Sequence, residues 1–215
     1  MFLLILFGSA ALMYFSANRM RAVEQPDRSA FYIATIAWEW LLIGYVLFGV
    51  RRRGTPLREV TGARWKSPKE FFRDVGIALL FWIIALPVLG GVAQLLHYQR
   101  MARNVRFLAP ESSSEIILWI AVSVTAGICE ETIFRGYLQK QLIAWTANVP
   151  AGVFLSAAAF GVGHIYQGAK ATVVIGVYGL LFGILAQLRH SVRPGMMTHA
   201  LHDTVSGLAL RFLPK

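Results

Sequence analysis

The stretch VGIALLFWIIALPVLGGVAQLL occupies residues 75–96 and carries no charged side chain over 22 positions. As a helix rising about 1.5 Å per residue, it is long enough to cross roughly 30 Å of hydrocarbon. Working outward from it, six more apolar blocks stand out: Met1–Ser16, Ala30–Val50, Ile116–Cys129, Pro150–Ile165, Ala171–Leu188 and Gly195–Leu213. The expected fold is therefore all-α, a polytopic transmembrane bundle of about seven helices. Three blocks are short for a full crossing. They either extend into flanking residues or are interrupted where polar side chains face a cavity.

Composition agrees with this reading. Of 215 residues, 56% are hydrophobic and 15% charged, and the mean hydropathy is +0.55, whereas a soluble domain is about 25% charged. A soluble enzyme, a disordered regulator and a small secreted disulfide scaffold are all excluded. The single Cys129 makes no internal disulfide and no thiolate cluster. The formal net charge of +10 comes from 21 Lys and Arg, which fall mostly in the connectors. There the positive-inside bias and anionic headgroups account for them. Membrane lipids are the expected partners of these charges, and nucleic acid is not.

The first block lacks a basic n-region and a small-x-small cleavage site, so it reads as a retained helix rather than a signal peptide. The densest basic stretch is 51–73, with Arg51, Arg52, Arg53, Arg58, Arg64, Lys66, Lys69 and Arg73. The positive-inside bias puts it in the cytoplasm. With seven alternating helices the N-terminus is also cytoplasmic, while Arg19, Arg21, Arg28, Arg100, Arg103 and Arg106 lie on the far side. A multi-pass cell-membrane protein of one domain, 1–215, is the simplest organisation.

Ionisable groups inside apolar blocks cost several kcal/mol each and ask for a reason. They are Glu39, Glu130, Glu131, Arg135, His164, His199, His202 and Asp203, mostly in the second half. Glu131 and Arg135 are four apart and share a helical face, so an ordinary ion pair at a helix end accounts for them. Glu130 points about 100° away and has no local partner, which suits a proton acceptor. His164 closes Phe160-Gly161-Val162-Gly163-His164, where two glycines admit a neighbouring backbone or a substrate. His199, His202 and Asp203 share a face early in the last block. Glu39, between Trp38 and Trp40, pairs with an arginine or lines the same cavity; the spacing does not decide.

This inventory suits water activation by a glutamate, with histidines stabilising an oxyanion or holding a metal. The metal signature H-E-x-x-H and the nucleophile elbow G-x-S-x-G are both absent. A cysteine nucleophile would have to be Cys129, beside two acids that disfavour a thiolate.

Glu-Glu-x-x-x-Arg at 130–135, Phe-x-x-x-His at 160–164 and His-x-x-x-Asp at 199–203 together resemble the CPBP intramembrane proteases. That family includes the CAAX prenyl endopeptidases of the Rce1 type and the bacterial Abi proteins. The resemblance spans about residues 115–212, a catalytic core, and leaves 1–114 as N-terminal transmembrane helices with the basic cytoplasmic loop. It implies an endopeptidase acting on a prenylated protein, a bacteriocin leader or another membrane peptide. Glu130 would activate the attacking water with His164, Glu131 and Arg135 would complete and orient that motif, and His199 and Asp203 would supply oxyanion-side contacts. The family's last motif often ends in Asn; Asp203 accepts hydrogen bonds but does not donate one unless protonated. His202 lies outside the pattern. Metal-dependent and metal-free mechanisms have both been attributed to the family. A divalent metal such as zinc would take Glu130, His164 and His199, and the metal-free glutamate mechanism is the favoured one.

Two points remain open on these grounds. Glu130 lies about 21 Å along its block, His164 about 21 Å along the next and His199 about 7 Å beyond Pro194. Strict alternation then separates His164 from the other two, unless 136–149 dips into the membrane or the fifth helix starts deeper. The competing function is a non-enzymatic transporter, immunity protein or scaffold that uses the acids and histidines for proton relay or binding. No internal repeat of the transporter kind is visible.

Overall fold

A computed structural model of the chain describes residues 2–98 and 104–212. Arg100 and Arg103 of the expected far-side loop lie outside them. The chain is 85% helical, with no strand among the described residues. The helices are α1 (Phe2–Arg21), α2 (Arg28–Arg52), the short α3 (Leu57–Thr61), α4 (Pro68–Leu95), α5 (Ser113–Thr146), α6 (Val149–Gly163), α7 (Ala169–Arg189) and α8 (Arg193–Ala209).

Seven of these cover the seven apolar blocks, and five are long and apolar enough to span a membrane. The other two, of 15 and 17 residues, are both too short, and α8 is polar as well. α6 has 15 residues, about 22 Å of rise. α8 carries Arg193, His199, His202 and Asp203.

Local chemistry sets the helix ends. Asp27 accepts the Ala30 N–H at 2.9 Å, Ser67 caps α4 ahead of Pro68, and Ser112 with Glu115 forms a capping box at the start of α5. The hairpin between α5 and α6 turns at Ala147 in left-handed backbone, and Asn148 then accepts the Ala151 N–H at 2.9 Å.

The helix of the fourth block does not stop at Cys129, as its charges suggested; it runs on to Thr146. Residues Glu131–Leu138 form a π-helical segment, in which Gln139 N–H donates to the Phe134 carbonyl. Ser156 Oγ of α6 donates to that same carbonyl at 2.8 Å. Glu131, Thr132, Arg135 and Gln139 are all about 1% exposed. The run is therefore interior helix, and not an interfacial end.

The bundle is inside-out relative to a soluble domain. Leu4, Phe15, Leu41, Phe48, Phe72, Leu80, Ile83 and Ile117 are exposed, as lipid-facing positions should be, while acids, an arginine and a histidine are sealed within. Close helix contacts depend on missing side chains. A Cβ at Gly127 of α5 would lie 2.6 Å from the Met196 carbonyl of α8. Gly161 meets the Thr172 carbonyl of α7 in the same way, whereas Gly163 faces open space.

The connectors sort to two ends. Arg28 reaches Phe107 O at 3.0 Å and Glu111 at 3.1 Å, and Arg21 donates to the carbonyls of Asn104 and Tyr166. At the other end Arg193 lies over Trp65 at 4.6 Å and donates to Gly62 O. Lys140 there donates to Glu59 O.

Candidate active site

The extension of α5 resolves the depth problem. Glu130 lies 17 residues before Ala147, and His164 lies 17 residues after it. In an antiparallel hairpin with equal arms, both come to the same level. α8 runs back along the first half of α5, with Trp119 Nε1 donating to the Asp203 carbonyl at 2.9 Å. His199 is thereby brought opposite Glu131.

The inner half of the site is a rigid, charge-balanced lattice. Arg135 Nη1 donates to Glu131 Oε1 at 2.9 Å, and Nη2 donates to Gly179 O at 3.2 Å. Gln139, one turn further along, donates to Gly183 O at 3.2 Å. Two side chains four apart thus meet two α7 carbonyls four apart. The guanidinium also sits 4.1 Å from the centroid of Phe160 and 5.2 Å from that of Phe182, a partial substitute for hydration. His199 Nδ1 lies 3.0 Å from Glu131 Oε1. A carboxylate only accepts, so the ring donates there. Phe182 stacks on the same imidazole, centroids 5.5 Å apart.

The outer half is open. Side-chain exposure is 1% at Glu131 and Arg135 and 6% at His199, but 15% at Glu130, 18% at His164 and 35% at Asp203. His164 Nδ1 lies 2.9 Å from the Phe160 carbonyl. A carbonyl also only accepts, so the ring donates from Nδ1 and its Nε2 is left to face the cavity. That Nε2 is 4.0 Å from Glu130 Oε2, and His199 Nε2 is 3.7 Å from the same oxygen. Asp203 Oδ2 lies 3.5 Å from His199 Nε2. Glu130 Oε2 is buried and makes no hydrogen bond among the described residues. All six motif residues therefore converge on one place.

Glu39, undecided between two roles, comes from α2 to the same place. The charged groups that act most strongly on its carboxylate are Glu130, His199 and Asp203, and its Oε2 is buried without a hydrogen-bond partner among the described residues. It lines the site and pairs with no arginine among the described residues. His202 turns toward α4, where Trp82 Nε1 donates to its Nδ1 at 3.3 Å. Cys129 is fully buried in an aliphatic cluster with Leu42 and Ile133 and is in no position to act as a nucleophile. Tyr178 was not singled out from the sequence. It brings a buried phenol onto Phe182, which stacks on His199, and its hydroxyl has no partner among the described residues. A tyrosine in an apolar helix looks like any other packing aromatic, so no sequence signal marked it.

The residues do not fit a closed metal centre. Among the described residues, no group of three or more His, Cys, Asp or Glu side chains is placed to hold a metal ion. A tetrahedral zinc with bonds near 2.0–2.1 Å sets neighbouring donors about 3.4 Å apart. The separations of 3.7 and 4.0 Å from Glu130 Oε2 are wider, and they match polar groups bridged by one water.

Residues 112–205 match the family model described as type II CAAX prenyl endopeptidase Rce1-like. No curated protein and no solved structure gives a significant match. The matched segment contains all six motif residues, and it excludes Glu39 of α2 and Trp82 of α4.

Proposed function

We propose that the chain is an intramembrane endopeptidase of the cell membrane that hydrolyses a peptide bond with a water activated by Glu130. One observation carries this reading. Glu130 Oε2 is buried and without a hydrogen-bond partner among the described residues, yet it faces the Nε2 atoms of two histidines at 4.0 and 3.7 Å. An acceptor left unpaired within a bundle costs stability, and the cost is understandable if a reactant completes it.

Water seated between Glu130 Oε2 and His164 Nε2 gives a proton to the carboxylate as its oxygen attacks the peptide carbonyl carbon. The oxyanion that forms faces the Nε2 side of His199. Glu131, acting through Nδ1, fixes that ring's tilt. Collapse breaks the C–N bond, and the proton held on Glu130 passes to the leaving nitrogen, leaving a carboxylate and an amine. Arg135 holds Glu131 in place through the 2.9 Å ion pair, so the ring that Glu131 holds is preorganised. No step requires a metal.

The matched family is named for CAAX prenyl substrates, so a prenylated C-terminal peptide is the first substrate class, and a bacteriocin leader or other membrane peptide is the second. The decisive test uses the purified protein in nanodiscs with a farnesylated CAAX peptide and an unprenylated apolar leader peptide. Cleavage of either, abolished in Glu130→Ala with the fold retained, supports the reading. Unchanged cleavage in Glu130→Ala overturns it.

A further inference from the structure

We infer that the Tyr178 hydroxyl is an additional catalytic donor, supplying the oxyanion hydrogen bond that Asp203 cannot. The inference rests on the peptidase reading above.

Tyr178 lies on α7, one turn before Phe182 and next to Gly179, whose carbonyl receives Arg135. The residue is 6% exposed. Its ring is fixed on two sides, with centroids 4.4 Å from Phe182 and 4.9 Å from His202. Phe182 in turn stacks on His199, so Tyr178 belongs to the aromatic wall behind the catalytic imidazole. The charged groups that act most strongly on its phenol are Asp203, Glu131 and Arg135, all from the site. Yet the hydroxyl makes no hydrogen bond among the described residues.

Buried phenols nearly always find a partner. The other tyrosine near the site, Tyr166, has one, since Gln167 Nε2 donates to its oxygen at 3.1 Å. An orphaned hydroxyl costs stability, while a phenylalanine of the same shape would avoid that cost. The surroundings explain what the hydroxyl offers. Glu130, Glu131 and Asp203 are acceptors when ionised, and the Nε2 side of His199 is already turned to Asp203 Oδ2 at 3.5 Å. A tetrahedral intermediate adds one more negative oxygen to this acceptor-rich wall. The Tyr178 O–H is a donor in the wall with no partner of its own among the described residues. It donates to the oxyanion, keeps its own proton, and is released when the carbonyl re-forms.

The test compares parent, Tyr178→Phe, Asp203→Asn and the double variant, with Glu130→Ala as the inactive control, on the farnesylated CAAX peptide. Tyr178→Phe should lower kcat about 100-fold, the scale of one oxyanion donor, and change KM less than about threefold. Its Tm should be unchanged or higher, because an unpaired hydroxyl has been removed. In the Asp203→Asn background the side-chain amide can donate, so the same change should cost less than about tenfold. A Tyr178→Phe protein with kcat within about twofold of the parent overturns the inference and leaves the peptidase reading intact. A loss of kcat accompanied by a fall in Tm of more than about 5 °C makes the hydroxyl structural and also overturns it. Cleavage that survives Glu130→Ala overturns both.

Discussion

His199 Nδ1 and Glu131 Oε1 meet at 3.0 Å although 68 residues separate them in the chain. Because the same oxygen accepts Arg135 Nη1 at 2.9 Å, the imidazole is tied to a fixed ion pair and not to a free carboxylate. His199 thus inherits the rigidity of α5. Replacing it with Gln, whose amide donates without the ring's geometry, should cut cleavage about 100-fold or more while the bundle stays folded, as product formation and thermal unfolding would show.

His164 stands differently. Its ring is 18% exposed, and its hydrogen bond is to Phe160 O, one turn back on α6. His164→Ala should therefore leave unfolding almost unchanged and lower kcat by about 100-fold or more, the range for a lost acid–base partner. A comparable loss of Tm would assign the residue to packing instead.

Glu131 and Arg135 are each 1% exposed. Glu131→Ala strands the guanidinium inside the bundle and should destabilise the protein by about 3–5 kcal/mol. Glu131→Gln keeps an acceptor for both partners and should retain the fold with reduced activity. Unfolding followed in detergent separates the two variants.

Gly127 is in backbone contact with α8. A methyl group there would lie 2.6 Å from Met196 O and 2.9 Å from Ala200 N. Gly127→Ala should cost about 1–3 kcal/mol through overpacking and should push His199 off its carboxylates. Stability and cleavage therefore fall together, unlike in His164→Ala.

The wide spacing of Glu130 from both histidines sets an expectation for metals. Cleavage should survive EDTA and phenanthroline, and the active protein should hold well under one equivalent of zinc by elemental analysis. Activity lost on chelation and restored by zinc would replace the water-only mechanism.

Much of this molecule is legible in its sequence. Apolar blocks locate the seven principal helices because lipid tolerates few charges, and the three motifs mark the residues that converge. The end of the fourth helix was misplaced for a physical reason. Glu131 and Arg135 look like an interface when read singly, but as a neutral pair stitched to Gly179 they belong to the interior. The π-helical segment depends on partners such as Ser156, 22 residues from the carbonyl it serves, and local pattern does not register it. Glu39 was visible as an anomaly, an acid between two tryptophans, but its destination depends on how α2 packs on α5. Tyr178 carried no anomaly at all.

The equal arms of the α5–α6 hairpin act as a pair of calipers. Glu130 and His164 stay level only while each arm counts 17 residues to Ala147. One residue inserted in a single arm would offset the two groups by about 1.5 Å in depth and 100° in azimuth. An insertion in this hairpin leaves both groups in place on their helices only at the turn itself. The length of the hairpin is thus as much a determinant of the proposed chemistry as the residues assigned to it.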